Sequence, residues 1–253
     1  MDKNQVKNEF CIEVWGEFAC FTIPETRAEP VSYSVITPSA AIGIYRSILG
    51  KAAVNWEITK IEVLNPIKYY NFIVSEVTKL ASAKVKAIDV SDENTRTMKK
   101  LTVLKNVKYR IHARMLYNEV DDRFIPDEHK SVMKERPDEN IYKYIDMFIR
   151  RASKGQQYRQ IHLGLRDFIG FYRLVNPEEE NLQKPIDVTM ALGLTFYDFF
   201  KVYDPKTRED VICDAMRYNP VIKDGVVEVP PVASDRVIKP KSYYDYMEKK
   251  GKL

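Results

Sequence analysis

The stretch that decides the fold is NIYKYIDMFIRRASKGQQYRQIHLGLRDF, residues 140–168. Ile141, Ile145, Phe148, Ile149 and Ala152 recur at helical spacing, which predicts an amphipathic helix with one face toward a core. Arg150, Arg151 and Lys154 gather where that helix would end, and cations there suit the helix dipole. Gly155 supplies the residue with which helices commonly stop. A glutamine-rich turn follows, then a short extended run to Tyr172. Between Asn140 and Arg173 stand seven Lys/Arg and two acids, a balance that suits a polyanion.

Working outward, residues 101–117 read as a strand. Val107, Tyr109, Ile111, Ala113 and Met115 fall on one face; Lys108, Arg110, His112 and Arg114 fall on the other, because strand side chains alternate. Residues 10–21 read as a strand interrupted by Gly16, which suggests a bulge or a close backbone approach. Thr37-Pro38 reads as a helix start, a capping hydroxyl followed by proline in the first turn, with the helix ending at Gly50. Residues 54–73 are strand-rich, marked by Trp56, Ile58, Ile61 and Val63. Residues 74–100 give no clear pattern, and residues 119–139 read as a mobile polar loop.

The order strand–helix–strand–strand–helix–strand is that of the split βαβ unit. The expected fold is therefore α+β, with a ferredoxin-like (RRM-like) domain over residues 1–180. A smaller antiparallel β-rich part and tail is expected over residues 181–253. Residues 176–185 read as an acidic linker. Strands are expected at 187–197 and 210–217 around a DPKTRED turn, with another at 226–229, and the tail reads as loosely held.

The chain has 253 residues and a net charge of +4, so charge total alone says little. Its distribution says more: residues 95–118 hold seven Lys/Arg and no acid. Two separate basic stretches on a nearly neutral chain favour a nucleic-acid surface. No apolar run is long enough to span a bilayer, so no membrane partner is expected. No signal peptide is read before the first strand, and the expected location is cytoplasmic. Cys11, Cys20 and Cys213 are widely spaced and odd in number, which argues against a disulfide framework or a metal site.

The chain resembles the CRISPR-associated Cas5 family in its type I-C form, within the repeat-associated RNA-binding superfamily. VWGEFACFTIPETRAEPVSYSVITPSAA is similar to that family's opening strand, loop and helix start. IEVLNPIK resembles its second strand, LKNVKYRIHARM its third, and MFIRRASKGQQYRQIHLGLRDF its Arg-rich helix leading into an LG-x-R-[DE]-F run. The resemblance implies a Cascade subunit that binds the repeat hairpin of precursor CRISPR RNA and holds the 5′ handle. It also implies cutting by 2′-hydroxyl attack, with no metal or cofactor. Other Cascade subunits, of backbone and large type, are the implied partners, and target DNA is reached indirectly.

The family's catalytic groups are a Tyr late in the first helix and a Lys-His pair at the start of the second. Lys143 matches the lysine. Tyr144 stands at the histidine position and Leu49 at the tyrosine position, with Tyr45 one turn earlier. The catalytic candidates are thus Lys143, Tyr144 and Tyr45. The RNA-binding candidates are Lys108, Arg110, His112, Arg114, Arg150, Arg151, Lys154, Tyr158, Arg159 and Arg166. A subunit that holds the handle while another protein cuts it is the competing expectation, and an unrelated RNA-binding domain is a third.

Overall fold

The computed structural model of the chain describes residues 8–26, 28–51, 53–78, 87–91, 95–117, 140–176, 179–204 and 209–249. β1 (Glu9–Ala19) leads to α1 (Pro38–Ile48), β2 (Val54–Val63), β3 (Tyr69–Val77), the 22-residue β4 (Arg96–Tyr117), α2 (Ile141–Ala152) and β5 (Phe171–Val175). There follow β6 (Met190–Ala191), β7 (Thr195–Asp204), β8 (Glu209–Tyr218), β9 (Val221–Lys223), β10 (Val226–Glu228), β11 (Val237–Ile238) and α3 (Lys241–Lys249). One sheet has the order β5-β1-β4-β2-β10-β9-β6, with β3 also paired to β4; a second has the order β11-β8-β7. The named strands all pair antiparallel. The fold is a mixed α/β one dominated by antiparallel sheets, with few helices. Strands from beyond residue 180 extend the main sheet through β10, which pairs with the outer edge of β2.

The alternation read in β4 holds. Tyr109, Ile111, Ala113 and Met115 are buried on the face that carries the main core, together with Phe10, Ile12 and Val14 of β1. β2 keeps its apolar residues on the same face by a bulge between Ile58 and Lys60. One extra residue shifts the side-chain phase, so Trp56 and Ile58 before it, and Ile61 and Val63 after it, are all buried. α1 contributes Ala41, Ile44, Tyr45 and Ile48 to this core, and α2 contributes Ile145, Phe148 and Ala152.

Thr37 caps α1 through its hydroxyl, which accepts from the Ala40 amide at 3.3 Å. Asn140 caps α2 by accepting from the Lys143 amide at 3.1 Å. α2 ends as read: Gly155 adopts φ +64°, and the Gln156 amide returns to the Arg151 carbonyl at 2.9 Å.

Several expectations need correction. The unpatterned stretch 74–100 contains the end of β3 and the first part of β4; β3 begins in the strand-rich stretch before it, and the two pair from Tyr69↔Leu104 to Val77↔Arg96 as a two-stranded arm. The expected extended run through residues 161–168 is a tight loop instead, closed by Leu163 N–H to Phe168 O at 2.8 Å and Gly170 N–H to Ile161 O at 2.9 Å. Gly164 sets its path: at φ +89°, a Cβ there would sit 1.8 Å from the Cys20 carbonyl oxygen. The strand expected at 187–197 begins only at Thr195, apart from the two residues of β6. The tail forms α3, whose Tyr243 and Tyr246 pack on Phe200. The loop expected at 119–139 lies outside the described residues.

Candidate nucleic-acid interface

The second face of β4, read as a basic stripe, is a lattice of ion pairs. Strand register decides this. Glu13 of β1 and Glu62 of β2 stand in register with Arg110, and Glu9 and Glu57 with Arg114. Arg110 Nη2 donates to Glu13 Oε1 at 2.8 Å and Nη1 to Glu62 Oε2 at 2.6 Å. On the next strand Arg173 Nε donates to Glu13 Oε2 at 3.0 Å. A row Arg173–Glu13–Arg110–Glu62 therefore crosses β5, β1, β4 and β2 with alternating charge.

The neighbouring basic side chains also face carboxylates. Lys108 lies 3.3 Å from Glu13 Oε2, His112 Nε2 lies 2.8 Å from Glu62 Oε1, and Arg114 lies 2.9 Å from Glu9 and 3.6 Å from Glu57. The stretch read as an acidic linker seals the row. Gln183 accepts from Arg110 through its carbonyl oxygen at 2.9 Å and from Lys108 through Oε1 at 2.9 Å.

Electrostatics follow from this packing. Burial works to raise the pKa of the Glu62 carboxyl, but hydrogen bonds from His112 and Lys60 outweigh it and bring it to about 2. Glu13 is likewise held below the usual carboxylate range, its burial outweighed by Arg173, Arg110 and Lys108. Burial pushes the neighbouring Cys11 thiol up to about 12, so it stays protonated at neutral pH. Arg110 is 5% exposed and serves the fold. Its assignment as an RNA contact is therefore corrected. Lys108, His112 and Arg114 are more accessible, yet each already faces a carboxylate.

The other basic stretch behaves differently. Where α1 and α2 end side by side, a cleft of about 650 Å³ is lined by Gly43, Arg46, Ser47, Gly50, Lys51, Arg151, Tyr158 and Arg159. Among the described residues its lining holds four cations and no acid. Main-chain bonds fix it: Ser47 O accepts from the Tyr158 and Arg159 amides at 2.7 and 3.1 Å, and Arg151 Nη1 donates to Ile48 O at 3.2 Å. The Arg159 guanidinium lies 5.5 Å from the Tyr158 ring centroid, and Tyr158 is 66% exposed. This supplies cations for phosphates and a ring for a base.

The structure thus brings together Arg151, Tyr158 and Arg159 of the sequence candidates and adds Arg46 and Lys51. These two escape a reading of the sequence because they stand singly, around a helix whose pattern shows only its buried face. Arg150 and Lys154 are exposed on the same helix end but outside the cleft lining, and Arg166 is exposed on the 161–170 loop.

The catalytic candidates do not join this cleft. Lys143 is half-buried in the first turn of α2, about 12 Å along the axis from Arg151 at 1.5 Å per residue. Tyr144 is buried, its ring 6.0 Å from that of Tyr117. Tyr45 is fully buried, and its hydroxyl sits 3.1 Å from Phe10 O and 2.8 Å from Ile111 O. Burial raises its pKa well above the usual phenol value. Tyr45, a catalytic candidate in the sequence, thus has its hydroxyl inside the core, away from the cleft. Leu49 is buried as well. Among the described residues no group of three His, Cys, Asp or Glu could hold a metal ion, and no helix is long and apolar enough to cross a membrane.

Residues 10–230 match the family model described as CRISPR-associated protein (Cas_Cas5). A protein named CRISPR pre-crRNA endoribonuclease Cas5d, from Mannheimia succiniciproducens, is 34% identical over 245 residues, covering 91% of this chain and 98% of that protein. A protein of the same name from Thermus thermophilus is 31% identical over 194 residues, covering 77% and 74%. Among solved structures, one described as a CRISPR-associated protein superposes with a TM-score of 0.61 at 23% identity, covering 91% of this chain and 96% of that one. A functionally uncharacterized protein from Streptococcus mutans gives 0.59 at 22%, covering 91% and 97%. These two likenesses bear on the fold alone. With the family model spanning most of its length, this chain belongs to the CRISPR-associated Cas5 family.

Proposed function

We propose that this chain binds CRISPR precursor RNA through the basic cleft at the ends of α1 and α2, and holds the 5′ handle as a subunit of a Cascade-type complex. The observation that carries this is the cleft's charge: Arg46, Lys51, Arg151 and Arg159 around an exposed Tyr158, with no acid among the described residues of the lining. Such a surface binds an RNA backbone by releasing its counterions. The unit β1-α1-β2-β4-α2-β5, with sheet order β5-β1-β4-β2, supports a ferredoxin-like reading of the RNA-binding part. The strands after residue 180 are a surface for neighbouring backbone and large subunits, and target DNA is reached through the guide. Such a complex acts in the cytoplasm.

Cleavage by this chain is the stronger of two readings, supported by relatives named as pre-crRNA endoribonucleases. The RNA would supply its own nucleophile, a 2′-hydroxyl beside the scissile phosphate, so no metal or cofactor is required. The protein must stabilise phosphorane charge and move protons. Lys143 suits the stabilising role, as an ammonium in the first turn of a helix, where backbone amides also favour an anion. Tyr144 beside it is a candidate hydrogen-bond donor. RNA seated at Arg151 would follow α2 to reach Lys143. The second reading, holding without cutting, is favoured by the burial of Tyr45 and Tyr144.

The test is incubation of the protein with its repeat RNA in EDTA. A single cut at the hairpin base, abolished in Lys143→Ala while binding persists, supports cleavage. Tight binding with intact RNA leaves the holding role alone, and failure of the wild type to bind RNA overturns both.

A further inference from the structure

A second cleft, of about 640 Å³, opens on the sheet face opposite the main core, at its β5 edge. Trp15 and Phe171 stand in register on β1 and β5, with ring centroids 6.3 Å apart and planes 27° apart. Phe171 is 58% exposed. Asn106, held at φ +53° in β4, lines the rim. Its carboxamide has no hydrogen-bond partner among the described residues. Lys108 and Arg173 also line the cleft, but Glu13 and Glu17 line it too, so two cations face two carboxylates. Lys108 and Arg173 are both engaged with Glu13. A balanced cleft of this kind gives little attraction to phosphate. It offers a π surface and an amide edge, which suit a flat heterocycle with polar edges.

Its position names the occupant. β5 is the edge strand, and its side chains alternate between this cleft and the face that carries the main core. Phe171 and Arg173 face this one. Tyr172, between them, turns the other way, and its hydroxyl donates to Gln156 O at 2.6 Å. Gln156 belongs to the turn that carries Tyr158 and Arg159 into the basic cleft. The two clefts therefore lie on either side of one strand edge.

We propose that the Trp15–Phe171 cleft stacks an unpaired base of the same RNA, after the strand leaves the basic cleft and passes over β5. This rests on the RNA-binding reading above. The basic cleft supplies salt-dependent hold on phosphates, and the aromatic cleft supplies salt-independent stacking.

The test uses synthetic repeat RNA and its single-stranded 5′ segment, with Trp15 as reporter; Trp56 is buried in the core and reports little contact. Binding should quench Trp15 emission. Phe171→Ala should weaken binding about 5- to 100-fold with the salt slope unchanged, and Phe171→Tyr should restore it. Since Phe171 is exposed, the alanine variant keeps the fold. Trp15→Phe should retain binding and lose the quenching. Full affinity of Phe171→Ala together with unquenched Trp15 would overturn the inference while leaving RNA binding standing. Full affinity with lost docking of a partner subunit would overturn it in favour of a protein occupant. No RNA binding by the wild type would remove the underlying reading itself.

Discussion

The two basic regions of this chain look alike in composition and differ in the molecule. β4 carries Lys108, Arg110, His112 and Arg114 on one face, and four glutamates meet them: Glu9 and Glu13 from β1, Glu57 and Glu62 from β2. The cleft at the ends of α1 and α2 gathers four cations, and no carboxylate among the described residues lines it. Density of positive charge along a sequence is therefore a weak guide to an anion site. A strand's neighbours are set by register, and register can place an acid opposite every base. Two helices ending side by side, with cations on their last turns and in the segments just after them, leave those charges without a carboxylate among the described residues.

The comparison can be broken first at the sheet. Arg110→Ala should destabilise the fold by about 3–5 kcal/mol, since it removes the buried guanidinium that two buried carboxylates share. Urea unfolding measures this, and RNA affinity of the still-folded protein should hardly change. A mild loss of stability would mean that the row is solvated and able to serve RNA.

Acid should act on the same row. Glu62 titrates at about 2 in the folded chain against about 4.3 unfolded. Its folded pKa is depressed, so its contribution is present above the unfolded value and is lost as pH falls from about 4.3 to about 2. That contribution is worth about 3 kcal/mol at neutral pH. Thermal unfolding followed across that window should show the loss, and Glu62→Gln should flatten it.

In the cleft, Arg46→Ala and Lys51→Ala should each weaken RNA binding by about 1–2 kcal/mol and leave thermal stability nearly unchanged, as both residues are exposed. Filter binding beside a melting curve separates the two effects. The smallest effect belongs to the core. Tyr45→Phe should cost about 1 kcal/mol of stability, for the hydrogen bond its hydroxyl makes to the strand carbonyls. Any RNA cutting should continue at the wild-type rate, and loss of cutting with intact folding would restore Tyr45 to the chemistry.

Much of the fold is legible in residue order. Thr37-Pro38 and Gly155 mark helix ends correctly because capping is local. The change of apolar phase from Trp56 and Ile58 to Ile61 and Val63 encodes the bulge in β2. The outer part of the arm, the end of β3 and the start of β4, is not legible, because residues such as Val77 and Met98 are exposed and show no buried alternation. The ion lattice leaves only a faint trace: Glu9 and Glu13 alternate on β1 in phase with Trp15, while Glu57 and Glu62 lie on opposite phases across the bulge. Only strand pairing, which joins Glu13 and Glu62 to Arg110 across 97 and 48 positions, turns those letters into neighbours of Arg110 and Arg114. The cleft is half legible, since Arg151, Tyr158 and Arg159 lie close in sequence. Arg46 and Lys51 reach it only because α1 and α2 pack side by side.

The most direct test is the salt dependence of RNA affinity in two variants. Arg46→Ala/Lys51→Ala/Arg159→Ala leaves only Arg151 of the cleft's cations, while Arg114→Ala removes the most exposed cation of the sheet lattice. With RNA in the cleft, the triple variant should lower the slope of log affinity against log salt by about 0.7 per lost phosphate contact, and Arg114→Ala should leave it unchanged. A slope unaltered by the cleft variant but reduced by Arg114→Ala would place the RNA on the sheet face and contradict the assignment of the cleft.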